Sequence, residues 1–289
     1  MKIFKYFFEF IIVLSLFATF KIIGIRNASF MGSLIARIFG PLFRSKKIIE
    51  KNLNICFKNI QQKDLEKISL GMWDNIGRTF SEYIFLKNFK KKQNNFIKLN
   101  GTEYLDEIKN SNKPVVFVTG HLSNFELLGT KLDSYGIKFC AIYRPLNNFF
   151  LNPVMEYLRL KYVCPIMIKK GRSSIRELLN RIKDGYSVII LADQRTSEGK
   201  KINFFGCPAL TTTMPAQIAL KYKCKIIPLR MERSSYNNFE MTVYKPIDYN
   251  ETNHYEEDSY NLTLKINNQL EKMILKKPEQ WLWSHNRWK

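Results

Sequence analysis

The stretch Val115-Val-Phe-Val-Thr-Gly-His-Leu-Ser-Asn-Phe-Glu126 decides how this chain is read. Four apolar residues of β-favouring type open it, as a buried strand does. Thr119 and Gly120 break the run, and a helix is expected to begin near Ser123 or Asn124. His121 therefore falls at the carboxyl end of a strand, where an α/β sheet opens to ligands. Positions five apart do not share a face within one continuous helix. His121 is accordingly placed in the loop, with Glu126 in the first helical turn, able to fold back onto the imidazole. A histidine held this way can take a proton from an attacking hydroxyl, and a carboxylate on its other nitrogen fixes the tautomer. A short H-x4-E spacing is equally compatible with a satisfied loop histidine and an ordinary first-turn acid.

Outward from this stretch the same alternation continues. Phe139–Tyr143, Ser187–Ala192, Lys225–Leu229 and Glu240–Tyr244 read as strands. Leu127–Tyr135, Pro153–Tyr162, Ser174–Lys183 and Met214–Tyr222 carry helical spacing between them. Strands alternating with helices define an α/β sheet. Residues 31–92 read as helical, with a second helix starting at Asp64 and carrying Met72, Ile76, Thr79 and Tyr83 on one face. The expected organisation is an N-terminal membrane-associated helix over 1–25 and one domain over 26–289, helical to 95 and α/β from 96.

Charge narrows the partners. The 289 residues include 46 Lys+Arg against 25 Asp+Glu, a formal net charge of +21. Such a chain is drawn to polyanions, whether nucleic acid, anionic lipid or acidic protein. Most aromatic residues fall in apolar helix or strand patterns rather than among Lys and Arg on an exposed platform, which disfavours nucleic acid. Five cysteines with no CxxC spacing give neither a zinc site nor a disulfide framework, and no metal or organic cofactor is indicated. Residues 3–25 are apolar, but the longest uncharged run, Phe10 to Phe20, is shorter than the roughly 20 residues a span needs. A helix lying on the membrane, a span with charges near its ends and a core helix all remain open.

Polar residues at other strand ends complete the candidate site. Arg144 follows the strand 139–143, where a guanidinium can bind phosphate or carboxylate. Asp193 and Gln194 follow the strand 187–192; the acid could orient Arg144 or Arg195, or contact substrate. Arg172, with Lys169 and Lys170 beside it, is a further candidate. His285 reads as structural and His254 as solvated.

Six blocks in register give a resemblance. The chain is similar to the bacterial lipid A late acyltransferases, the lauroyl/myristoyl group of lysophospholipid-acyltransferase-like enzymes. Their His-x4-Asp/Glu hallmark is matched by His121 and Glu126, with Asn124 retained and Ser123 standing where many members have Gly. Tyr143-Arg144-Pro145-Leu146-Asn147-Asn148 resembles a second block. Gly171-Arg172 with Ile175-Arg176 and Asp184-Gly185 resembles a third, and Ala192-Asp193-Gln194 with Phe204-Phe205-Gly206 a fourth. Pro278 to Trp288 resembles the C-terminal signature. Asn52–Phe57 and Gly77-Arg78…Glu82 also fit, although Lys58 replaces a common Pro.

The resemblance implies a mixed, largely parallel sheet wrapped by helices. It implies His121 and Glu126 as catalytic residues, and Asn124, Arg144, Arg172, Asp193 and Gln194 around the substrate. The donor would be an acyl chain on acyl carrier protein and the acceptor a hydroxyl of a lipid A precursor. The setting would be the cytoplasmic face of the bacterial inner membrane. A phospholipid or glycolipid acyltransferase with the same histidine chemistry, and a non-catalytic basic membrane-binding protein, are the alternatives.

Overall fold

The computed structural model describes residues 2–91, 95–171, 173–252 and 254–289. Its first element, α1 (Lys2–Phe43), is a long apolar helix that bends at Gly24, whose φ of 80° and ψ of 163° are readily adopted only without a side chain. Helices α2 (Lys46–Cys56) and α3 (Gln62–Glu82) follow, then a 3-10 turn (Tyr83–Phe85) and α4 (Leu86–Lys90). The second half of α1 lies on α3 so closely that the backbones meet: a Cβ added to Gly77 would come within 2.0 Å of the Gly32 carbonyl oxygen. The boundary expected at residue 25 falls beside the Gly24 bend. On its N-terminal side, Phe17 and Phe20 are nonetheless buried in the same core as the sheet.

From β1 (Ile97–Asn100) onward strands and helices alternate: α5 (Thr102–Ser111), β2 (Val116–Thr119), α6 (Glu126–Tyr135), β3 (Phe139–Tyr143), α7 (Asn152–Tyr162), β4 (Met167–Lys169), α8 (Ser174–Lys183) and β5 (Ser187–Leu191). The chain continues through β6 (Lys200–Phe204), β7 (Cys207–Thr211), α9 (Met214–Tyr222), β8 (Ile226–Ser235), β9 (Asn238–Val243) and α10 (Tyr255–Lys276), and ends in a 3-10 turn (Pro278–Gln280) and an ordered tail. Seven strands form one sheet in the order β1-β9-β8-β2-β5-β3-β4. All neighbours are parallel except the β8–β9 hairpin. The fold is therefore α/β with a mixed, mostly parallel sheet, as the alternating pattern predicts. The β6–β7 hairpin stands apart and turns at Phe205 and Gly206, both at positive φ.

Central β2 is buried at every residue, and its side chains alternate between two cores. Val116 and Val118 point into one, with α10 and the tail tryptophans; Phe117 points into the other, with α1, α4 and α6. The C-terminal tryptophans belong to the first core: Trp281 and Trp283 are fully enclosed, and Trp288 stacks on Phe204. Trp283, Trp281 and Phe204 thus serve packing. Asn52 fastens this tail, donating to the Trp283 and His285 carbonyls at 2.7 Å each.

Candidate active site

Strand register assembles the site. β2 and β5 are parallel neighbours with Thr119 paired to Leu191. Two residues further along each strand stand His121 and Asp193. The His121 backbone N–H donates to Asp193 Oδ2 at 2.8 Å, and Nδ1 lies 2.8 Å from Oδ1. An ionised carboxylate only accepts hydrogen bonds, so Nδ1 carries the proton and Nε2 is left as the base. The Trp281 indole donates to Asp193 Oδ2 at 2.7 Å and locks the carboxylate from the far side. Burial pushes the Asp193 carboxyl upward, but the His121 ring and its hydrogen bond, the His121 backbone N–H and the Trp281 indole outweigh this and bring the pKa to about 2. His121 itself is partly exposed, with its ring edge against Phe125.

The expectation that Glu126 holds the imidazole is corrected here. Glu126 begins α6 and is buried, but its Oε1 faces Arg159 of α7 and Tyr83. Arg159 donates from Nε at 3.0 Å and from Nη2 at 2.6 Å, and Nη2 also donates to the Tyr83 hydroxyl at 2.8 Å. The Tyr83 hydroxyl in turn donates to the same carboxylate oxygen. Burial and the Glu126 charge hold Tyr83 well above the usual phenol range, so it stays a neutral donor. The physical reason for the difference is local: Ser123 takes a left-handed φ of 53°, and this turn separates the histidine loop from the helix. The loop reaches sideways to β5 while the helix's first turn faces α7. Asp193, placed in the site by its strand-end position, is the residue that orients His121 rather than Arg144 or Arg195.

The loop between them is clamped. Leu122 bridges Trp281, and the Ser123 N–H donates to the Gln280 carbonyl at 2.8 Å. Asn75 on α3 reaches the Ser123 carbonyl at 3.3 Å. Asn124 donates to Glu82 Oε2 at 2.9 Å, so its amide nitrogen faces the protein interior. Glu82 is wholly buried and receives a two-pronged ion pair from Arg233 of β8, at 2.5 and 3.0 Å, with further donors from Ser29 of α1 and Asn237. One buried carboxylate thereby ties the histidine loop, α1, α3 and β8 together.

Arg144 is exposed just past β3, and Gln194 is half-buried just past β5. Both sit at the sheet edge that carries His121. Arg172 lies outside the described residues. His285 is half-buried and accepts the Arg195 N–H at 3.0 Å, holding the loop after Asp193. His254 is exposed. Arg159 and Arg233 had no signal in the sequence, because each resembles an ordinary charged residue of a helix or strand. Tyr83 was legible only as one member of a helix face.

The candidate site of this α/β fold is thus a histidine at a strand end whose Nδ1 is held by a buried carboxylate. Over residues 1–289 the chain matches the sequence profile of the bacterial lipid A biosynthesis acyltransferases. It is 24% identical over 270 residues to the lipid A biosynthesis palmitoleoyltransferase of Escherichia coli K12, covering 90% of this chain and 84% of that one. It is 23% identical over 268 residues to a lipid A biosynthesis acyltransferase of Haemophilus influenzae, covering 87% and 82%. It is 20% identical over 251 residues to the lipid A biosynthesis lauroyltransferase of E. coli K12, covering 85% and 79%. The chain belongs to the bacterial lipid A biosynthesis acyltransferase family and is an acyltransferase.

Proposed function

We propose that this acyltransferase moves a fatty acyl chain from acyl carrier protein to a hydroxyl of a lipid A precursor, at the cytoplasmic face of the inner membrane. The observation that carries the reading is the 2.8 Å contact between His121 Nδ1 and Asp193, which frees Nε2 to act as base. An alcohol attacks a thioester poorly until its proton is taken, and a positioned imidazole contributes about 10²–10⁴-fold. In this scheme the acceptor hydroxyl gives its proton to Nε2 as its oxygen bonds to the thioester carbon. The tetrahedral intermediate then expels the carrier thiolate, which receives that proton. No covalent bond to the enzyme forms.

Arg159, held by Glu126 through Nε and Nη2, keeps Nη1 free of both partners and is assigned to anionic charge in the substrates or the intermediate. Arg144, exposed at the same sheet edge, is assigned to an anionic group of acceptor or carrier. The net charge of +21 favours both anionic partners. The test is transfer by the purified protein from acyl-loaded carrier protein to a lipid A precursor, read by mass spectrometry. One acyl mass should appear on the precursor with the wild type and none with His121→Ala. Acylation of phospholipid alone, or transfer at wild-type rate by His121→Ala, would overturn the proposal.

A further inference from the structure

Exposed apolar residues recur along both halves of α1, with Ser15 and Thr19 exposed between them. Phe4, Phe8, Ile11, Ile12 and Ile22 are exposed before the Gly24 bend, and Phe30, Leu34, Ile38 and Leu42 after it. The second set recurs at four-residue intervals, one stripe along a helix. By length and composition the first segment could cross a bilayer: Lys2–Ile23 extends roughly 33 Å at 1.5 Å per residue, and the hydrocarbon core is about 30 Å.

What decides its orientation is the opposite face. It is attached to the catalytic domain from Tyr6 to Gly40. Tyr6, Phe7 and Phe10 pack on Phe149 and Phe150 of the β3–α7 loop. Phe17 packs on Phe80, and the Lys21 ammonium lies over the Phe85 ring. Gly40 abuts the Trp73 ring. Glu9, the acid that a span would have to carry into lipid, is half-exposed beside Lys5 and accepts from Asn148 at 3.1 Å, and Asn148 also donates to the Tyr6 carbonyl at 2.9 Å. Setting the first segment upright would drag the β3–α7 loop and the α3–α4 region into hydrocarbon with it.

The β3–α7 loop adds its own apolar surface. Leu146 and Phe149 are exposed beside the helix, 38% and 52% accessible. The loop leaves β3 at the sheet edge where β2 and β5 deliver His121 and Asp193.

We infer that α1 does not cross the membrane but lies in its plane, and that Leu146 and Phe149 enter the same leaflet, so that the histidine edge of the sheet rests against the lipid surface. The occupant of this face is an anionic bilayer. Lys2, Lys5 and Arg37 are exposed along the same helix and meet lipid phosphates at headgroup level. A lipid alcohol can then reach His121 sideways from the leaflet. The inference stands on packing alone and holds whichever lipid is the acceptor.

The full chain is bound to vesicles of phosphatidylethanolamine and phosphatidylglycerol, with a nitroxide attached in turn at Phe8→Cys, Ile11→Cys, Ile22→Cys, Ile38→Cys and Phe149→Cys. Labelling of the parent protein's own cysteines is subtracted, and immersion depth is read from oxygen against nickel-chelate relaxation. All five sites should lie at one shallow depth. A profile deepest at residue 11, shallow at 8 and 22, with 149 in water, would establish a span and overturn the inference. Separately, Leu146→Ser with Phe149→Ser should weaken vesicle binding by about tenfold or more while the melting temperature holds. Unchanged binding, or a stripe buried in a dimer that ignores vesicles, would also overturn it.

Discussion

His121 and Asp193 are 72 residues apart in sequence, yet each stands two positions beyond a strand residue that faces the other's across one β-ladder, Thr119 and Leu191. Their contact is therefore a property of sheet register. A slip of one residue between β2 and β5 would turn these side chains to opposite faces.

Asp193→Asn tests what the carboxylate does. An amide can donate to Nδ1 as well as accept from it, so the tautomer is no longer fixed. We expect kcat to fall by about 10²–10⁴-fold while the Trp281 indole still finds an acceptor oxygen and the fold persists. Steady-state kinetics beside circular dichroism decides this; kcat near wild type would deny Asp193 its role.

Arg159→Met removes both guanidinium donors and the paired positive charge from Glu126, whose side chain is 7% exposed, and leaves it the Tyr83 hydroxyl alone. A buried charge left without its partner costs about 3–5 kcal/mol. Glu126→Gln with Arg159→Met should recover part of that loss, since no isolated charge then remains. Urea unfolding of the wild type and the two variants measures it. Equal stability of Arg159→Met and wild type would mean that the pair contributes nothing to the fold.

Phe20 is 1% exposed and packs among the sheet-side core residues although it lies in the apolar N-terminal helix. Phe20→Ala should destabilise the whole protein by about 3–5 kcal/mol. Deletion of residues 1–25 should therefore impair folding as well as membrane binding. A truncated protein with an unchanged melting temperature would show that the segment is only an appendage.

Two groups set the acid limit. Burial lowers the His285 pKa, with Asp193 opposing and His121 and Arg287 reinforcing the shift, and its Nε2 accepts a backbone N–H, so the folded state prefers the neutral ring. In the window below the ordinary imidazole value of about 6.5 the unfolded chain binds the extra proton. The stability from His285 is thus complete above that value and declines as pH falls through it toward the folded pKa. Asp193, at about 2, contributes stability that is complete above the unfolded carboxyl value of about 3.9 and is lost as pH falls through 2. Melting temperatures of wild type and His285→Gln should converge as pH drops from about 7 to 5. Parallel curves would contradict the assignment.

The sequence made the sheet legible where strands are short, apolar and bounded by breakers, as at β2, β3, β5 and the start of β8. It left β1, β4 and the β6–β7 hairpin unread, because these strands mix exposed lysines with apolar residues. Helix α10 was hidden by its acidic first turn, though Leu262, Ile266 and Leu270 recur at helical spacing and all are buried. His121 and Asp193 were both legible as polar residues at strand ends. Their pairing was not, because local spacing points to Glu126 and only strand register brings in Asp193. Arg159 could not be recognised at all: on α7 it resembles a solvated last-turn cation, and only the packing of α7 on α6 shows its carboxylate.

The central claim is that His121 and Asp193 act as one unit in proton transfer. The most direct measurement is kcat/KM for His121→Ala, Asp193→Asn and the double variant in the reconstituted transfer assay. If the carboxylate works only through the imidazole, the double variant is no slower than His121→Ala alone. If the two losses multiply, Asp193 acts elsewhere and the account is wrong.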